Sequence, residues 1–244
     1  MPDFAIDAQT WWALLEIVVV NILLSGDNAV VVALSCRDLP KAQRKVAIFA
    51  GTLIAAFLRV ILTLFADALL EQPYLRLIGS LTLVWIAIKF LIPDSEESKS
   101  TQKTDRFWPA IRTVVIADIV MSMDNVVGVA AAAHGRQVLL VIGLLTSIPL
   151  IIYGSTFIIR LLGRFPVLIT LGAAFLGFIA GEMAISDQVI AAWVEGQRAL
   201  ANVIAPLMTA IMVVMIGKSL KRRKTVRIRA LEVKEPSSGP EWRS

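Results

Sequence analysis

Two polar tetrads, Ser25-Gly26-Asp27-Asn28 and Ser122-Met123-Asp124-Asn125, lie 97 positions apart, each inside a long apolar stretch. An ionised Asp at the centre of a membrane-spanning helix costs roughly 2.5–3.5 kcal/mol on insertion scales. A chain that carries this cost twice, in one four-residue pattern, has to surround both carboxylates with something that offsets it. The echo extends outward: Asn21 precedes the first tetrad where Asp118 precedes the second, and a run of Val and Ala follows each. This internal repeat dictates the architecture.

Hydrophobic residues make up 57% of the chain against 18% charged, and the mean hydropathy is +0.75, which places the protein in the membrane class. Stretches of about 20 apolar residues suffice to cross a bilayer. Seven are read, at Trp11–Ser35, Val46–Ala66, Leu75–Ile92, Pro109–Ala133, Val138–Ile159, Pro166–Ile185 and Ala199–Gly217. Met1–Thr10 has no Lys or Arg and carries Asp3 and Asp7, so no cleavable signal is expected there. With the N-terminus outside and the C-terminus cytoplasmic, the inner segments hold 18 Lys and Arg and the outer loops three, as the positive-inside rule requires of seven spans. The net charge of +5 therefore reflects topology and tail, and no nucleic-acid partner is expected. One Cys, Cys36, excludes an internal disulfide.

The polar stretch Pro93–Trp108 divides the first six spans into two groups of three, repeat one over about 11–92 and repeat two over about 109–185. The third helices match at an offset of 93, pairing Gly79 with Gly172, Trp85 with Phe178 and Lys89 with Glu182. Three is odd, so the second group enters from the opposite side and the repeats are inverted, a design used by secondary transporters that hold substrate near the midplane. The fold expected is an all-α membrane protein: a transporter domain over 1–217, with a seventh helix at about 199–217 outside the repeats, and a basic, disordered cytoplasmic tail over 218–244.

With about 3.6 residues per turn, Asn21, Ser25 and Asn28 form one polar stripe and Asp118, Ser122 and Asn125 its counterpart, with Asp27 and Asp124 to the side. Brought together by inverted symmetry, Asp27, Asn28, Asp118, Asp124, Asn125 and Asn21 would present six oxygen-bearing side chains, a donor set for a hard cation. Interhelical hydrogen bonding of Ser, Asn and protonated Asp is the alternative. One His and one Cys are too few for a soft site, leaving Mg²⁺, Ca²⁺, Mn²⁺ or a monovalent ion. Met121 and Met123 flank the second tetrad; a thioether there favours Mn²⁺, and ordinary packing is the plainer reading. Arg59, in mid-span, needs an acidic partner in the core or a water-filled cavity. Lys89 and Glu182 lie near helix ends on opposite faces, as snorkelling or gating groups and not as a direct ion pair. Asp118, whose repeat partner Asn21 cannot ionise, is the expected proton carrier after the central pair.

At Leu24-Ser25-Gly26-Asp27-Asn28-Ala29-Val30, at Asp118–Asn125 and at Trp85-Ile86-Ala87-Ile88-Lys89 the chain resembles the TerC family of integral membrane proteins, in the wider LysE transporter superfamily. The resemblance spans about residues 11–217. It implies a bacterial inner-membrane location and Mn²⁺ efflux, with the acidic residues of both tetrads forming the metal path; the residues by themselves yield only a hard cation.

The function expected is secondary export of Mn²⁺ in exchange for protons, since no nucleotide-binding Gly-rich motif is present. Export of a small organic solute, and a non-transporting membrane partner in metal supply or tellurium resistance, are the alternatives. An aspartyl protease dyad would not explain the duplicated Asn residues, so no enzyme is expected. No permanently bound cofactor is expected; the divalent ion is substrate, and its partners are the lipid bilayer and, in a homo-oligomer, further copies of the chain.

Overall fold

The computed structural model describes Leu15 and residues 26–65, 72–92, 106–132 and 137–234; within these, side chains at 64, 123–132, 137–140, 142–144, 225 and 227–234 lie outside the description. Among the described residues the structure is all helical. Its elements are α1 (Gly26–Cys36), α2 (Lys41–Leu64), α3 (Leu75–Leu91), α4 (Phe107–Ala132), α5 (Gln137–Arg164), α6 (Val167–Ile185), the short α7 (Gln188–Trp193) and α8 (Arg198–Lys234). Four segments are long and apolar enough to cross a bilayer, at Lys41–Thr63, Leu145–Arg164, Val167–Ile185 and Glu195–Lys224. The 17 residues of α3 stand at the lower limit for a span and the 26 of α4 exceed it.

Prolines set the helix boundaries. Pro40 precedes α2, Pro109 sits in the first turn of α4, and Pro166 separates α5 from α6, each where a missing N–H costs nothing. The bend between α1 and α2 is held by Arg44, which donates to the carbonyls of Arg37 at 2.8 Å and Leu39 at 2.9 Å. At the other end of the bundle Asp187, 1% exposed, accepts from Val189 N at 3.0 Å to cap α7 and from Leu77 N at 3.2 Å at the start of α3. Arg76 donates to the Ser186 carbonyl beside it, at 2.7 Å.

The packing crosses between the two halves of the chain: α2 lies against α4, α1 against α5, and α3 against α6. Small residues allow these approaches. A Cβ built on Gly51 would lie 3.2 Å from Val114 on α4, and one on Gly154 would lie 3.5 Å from Ala29 on α1. Gly79 and Gly172, matched in the sequence repeat, occupy corresponding seams, Gly79 on Val120 of α4 and Gly172 on Leu34 of α1. Large apolar side chains face outward instead, among them Phe49, Phe57, Tyr153 and Phe157, with Tyr153 77% exposed. Such a surface would associate in water and matches a hydrocarbon solvent.

Three elements differ from the sequence reading. α5 runs on past Ile159 to Arg164, because no Pro lies between Ile159 and Phe165-Pro166. α7 occupies the connection read as an outer loop, nucleated by its Asp187 cap. The tail, expected to be disordered from Lys218, continues α8 as helix to Lys234; Lys, Arg and Leu are good helix formers, and Pro236 is the first breaker.

α8 packs along α6 and α3. A Cβ on Gly181 would stand 2.5 Å from Pro206 Cα, and one on Gly177 would stand 3.0 Å from Ala210 Cα, both on α8. This is small-residue packing of backbone on backbone. Replacing Gly181 with Val should therefore separate α6 from α8, at a cost of about 1–3 kcal/mol or more for overpacking. Gly163→Ala, where nothing lies within 4 Å, is the control and should be neutral or stabilising. Thermal unfolding of the two variants in one detergent checks the contrast.

Candidate metal path at the helix crossing

Three helices bring charge into the bundle: α1 with Asp27, α2 with Arg59, and α4 with Asp118. Arg59 is 4% exposed and Asp118 is 6% exposed. The Arg59 guanidinium donates through Nη2 to Asp118 Oδ1, and through Nε to Ser122 Oγ at 2.9 Å. The Ser122 hydroxyl in turn donates to Asp118 Oδ2 at 3.2 Å. Both carboxylate oxygens are thus occupied, and Ser122, wholly buried, bridges cation and anion. Burying either charge alone would cost several kcal/mol in a low dielectric, and only the hydrogen-bonded pair is tolerable there.

Sequence spacing explains why these groups meet. Asp118 and Ser122 are four apart and project from one face of α4, near its middle. α2 lies against α4, with Gly51 at Val114 and Arg59 at Ser122, so the two helices run in the same direction. The acidic partner required for Arg59 is therefore Asp118. Asp27, half-buried on α1, accepts from the backbone N of Asn28 at 2.7 Å. The charged side chains acting on it are Arg59 and Asp118. α1 also packs against α4, so the helices of the two tetrads are neighbours.

The remaining sequence candidates distribute as follows. Asn28 is 2% exposed and points into the bundle; Met121 is 4% exposed and belongs to the apolar core. Asn21 and Ser25 lie outside the described residues. Met123, Asp124 and Asn125 continue the described helix α4 beyond Ser122, but their side chains lie outside the description. Lys89 ends α3, its Nζ 5.2 Å from the Trp85 ring centroid, and Glu182 is exposed on α6; the two do not pair. Among the described residues no three His, Cys, Asp or Glu side chains converge on one point.

α2 adds a polar face that the sequence reading missed. Thr52, 2% exposed, and Thr63, 7% exposed, flank Arg59 on its own side of the helix, seven residues before and four after. Thr63 Oγ1 donates to the Arg59 carbonyl at 2.7 Å. Thr52 Oγ1 is buried and has no hydrogen-bond partner. The signal was present as Thr-x6-Arg-x3-Thr at helical spacing in an otherwise apolar stretch. An orphaned hydroxyl, two carboxylates and a buried amide are oxygen donors of the kind a hard cation takes.

Comparison with known proteins agrees with this membrane assignment. Over 203 residues the chain is 39% identical to the uncharacterized membrane protein YjbE of Bacillus subtilis (strain 168), covering 83% of this chain and 92% of that one. It is 29% identical to YceF, another uncharacterized membrane protein of that strain, covering 73% and 72% of the two chains. Similarity to the UPF0053 protein YegH of Escherichia coli (strain K12) is 24%, over 71% of this chain and 36% of that protein. No solved structure matches. The family model described as integral membrane protein TerC family matches residues 6–225, and the chain belongs to that family.

Proposed function

We propose that this protein is a secondary transporter that exports Mn²⁺ from the cytoplasm in exchange for protons, through a site shared by two inverted three-helix repeats. The observation that carries the reading is the buried Arg59–Asp118–Ser122 cluster, with Asp27 in its field, inside helices whose outer surfaces are apolar. Ionisable groups in such a position mark ion pathways by default. The cross-packing of α1 with α5 and α2 with α4 supports the inverted repeat, because exchanging the halves turns one contact into the other.

Charge accounts for the stoichiometry. Asp27, Asp118 and Asp124 bring three negative charges and Arg59 one positive, leaving two, the charge of one divalent ion. In the absence of metal Arg59 and Ser122 occupy both oxygens of Asp118. The proton role rests with the central pair, Asp27 and Asp124, each of which alternates between metal and proton. Protons that replace the departing ion keep the site near neutrality, which the low dielectric requires. Asn28 and Asn125 add amide oxygens to the shell, with Asn21 toward one end. Manganese among the hard cations rests on the family resemblance and on the thioether of Met123, since oxygen with an occasional soft ligand suits Mn²⁺ better than Ca²⁺; Met121 takes the packing role.

Flux of Mn²⁺ into vesicles carrying the purified protein, under an imposed pH gradient, tests the reading and separates a transporter from a non-transporting partner. Asp27→Asn and Asp124→Asn should each insert normally and lose at least roughly 100-fold in flux, beyond the 10–100-fold typical of outer-shell partners. Wild-type flux in both variants would refute the site.

The ion pair makes a second, independent prediction. Arg59→Gln strands a buried carboxylate and should cost about 3–5 kcal/mol. Arg59→Gln with Asp118→Asn removes both charges and should recover most of that loss. Unfolding in detergent measures both, and a double variant as unstable as the single one would show that the pair is not the principal interaction at this position.

A further inference from the structure

A second polar feature lies away from this cluster, at the end of the bundle where the α1–α2 bend, the end of α3 and the start of α4 meet. It is a cavity of about 280 Å³, at the small end of the roughly 300–1,000 Å³ of ligand pockets. Three cationic side chains line it: Arg37 from the bend, Lys89 from the last turn of α3, and Arg106 just before α4. Among the described residues of the lining Asp38 is the one carboxylate, and it already accepts from Arg37 Nε at 3.0 Å. The Arg37 guanidinium is further fixed by donating through Nη2 to the Phe90 carbonyl, 2.9 Å away. Its remaining nitrogen, Nη1, is buried without an acceptor, and so is the hydroxyl of Ser35, which also lines the cavity.

A buried guanidinium N–H without an acceptor and a buried hydroxyl without a partner each carry a desolvation cost. An anion removes both penalties. Arg presents a fork suited to phosphate oxygens, Lys a mobile point charge, and Ser a short donor. We infer that this cavity is a binding site for a phosphate-bearing anion, held by Arg37, Lys89 and Arg106 with Ser35. Two sources share that chemistry: the phosphodiester of an anionic phospholipid in the leaflet on the basic-loop side, and free inorganic phosphate. Basic pockets between membrane helices on that side commonly hold lipid headgroups. The site is independent of the metal path, sharing none of its residues.

The test is the shift in unfolding temperature of the full-length protein in neutral detergent, followed by tryptophan fluorescence. Short-chain phosphatidylglycerol, inorganic phosphate and short-chain phosphatidylcholine are titrated separately. Lys89→Gln with Arg106→Gln removes two cations and spares Arg37, which also braces Phe90; Arg106→Gln alone serves if the double variant is poorly folded. Phosphatidylglycerol should raise the unfolding temperature and phosphatidylcholine should not. The double variant should need roughly 25-fold more lipid for the same shift, at about fivefold per basic residue. A shift with phosphatidylglycerol alone identifies a lipid, whereas an equal shift with inorganic phosphate identifies the free anion. The proposal is overturned if neither raises stability, if phosphatidylcholine acts equally, or if the variants respond as the unmodified protein does.

Discussion

A guanidinium has no neutral form to retreat to inside a membrane, so Arg59 dictates the arrangement around it. Its carboxylate must be near, which draws α4 against α2; both oxygens of that carboxylate must be satisfied, which gives Ser122 its place one turn further along. The same contact aligns the two helices in parallel and leaves α1 lying across α4 with Asp27 within range of both charges. The glycine-lined seams then close around a geometry that the ion pair has already restricted. A polar cluster of this kind is weak as a source of stability compared with an apolar core of equal volume. Its retention at a helix crossing points to a task that needs charge.

Much of this was legible in the residues because the membrane makes polar groups expensive. Asp27 and Asp124 stood out by their cost, and Arg59 by its need for a partner. The bounds of helices α3 and α6 could be read almost to the residue, because proline and charge lie near their ends. Which carboxylate answers Arg59 was not legible: Asp27, Asp118 and Asp124 all satisfied the rule, and helix packing chose between them. Thr52 and Thr63 passed unnoticed because a hydroxyl in a helix usually bonds back to the preceding turn, as Thr63 does and Thr52 does not. Nothing in its sequence setting marks Asp187, whose carboxylate joins the start of α3 to the start of α7, just past the end of α6. The helical tail was misjudged because charge suggested disorder, while helix propensity, with no proline before Pro236, favoured continuation.

The interfaces fall into two kinds. Where α6 meets α8, backbone rests on backbone at Gly177 and Gly181, with only the short, β-branched Val213 side chain beside Gly177. Where α1, α2 and α4 meet, side chains fill the space and the contacts are ionic or hydroxyl in character, with geometry that a change of rotamer can alter. Under the proposed exchange the second kind is where ions come and go, and the first carries α8 along with α6 as one piece. The lipid-facing surface, rich in Phe and Leu, tolerates such sliding because hydrocarbon makes no directional contacts.

Arg59 and Asp118 are separated by 59 positions in the chain. At synthesis rates of about 5–20 residues per second, Arg59 has been made for roughly 3–12 s before its carboxylate exists. During that interval α2 carries a charge near the bilayer interior without the carboxylate of its ion pair, a position that insertion disfavours by about 2.5–3.5 kcal/mol. The first three helices are therefore an unfinished object, however closely they resemble a self-contained repeat. The ion pair crosses the linker, so the packing of α2 is complete only when α4 arrives to supply Asp118 and Ser122.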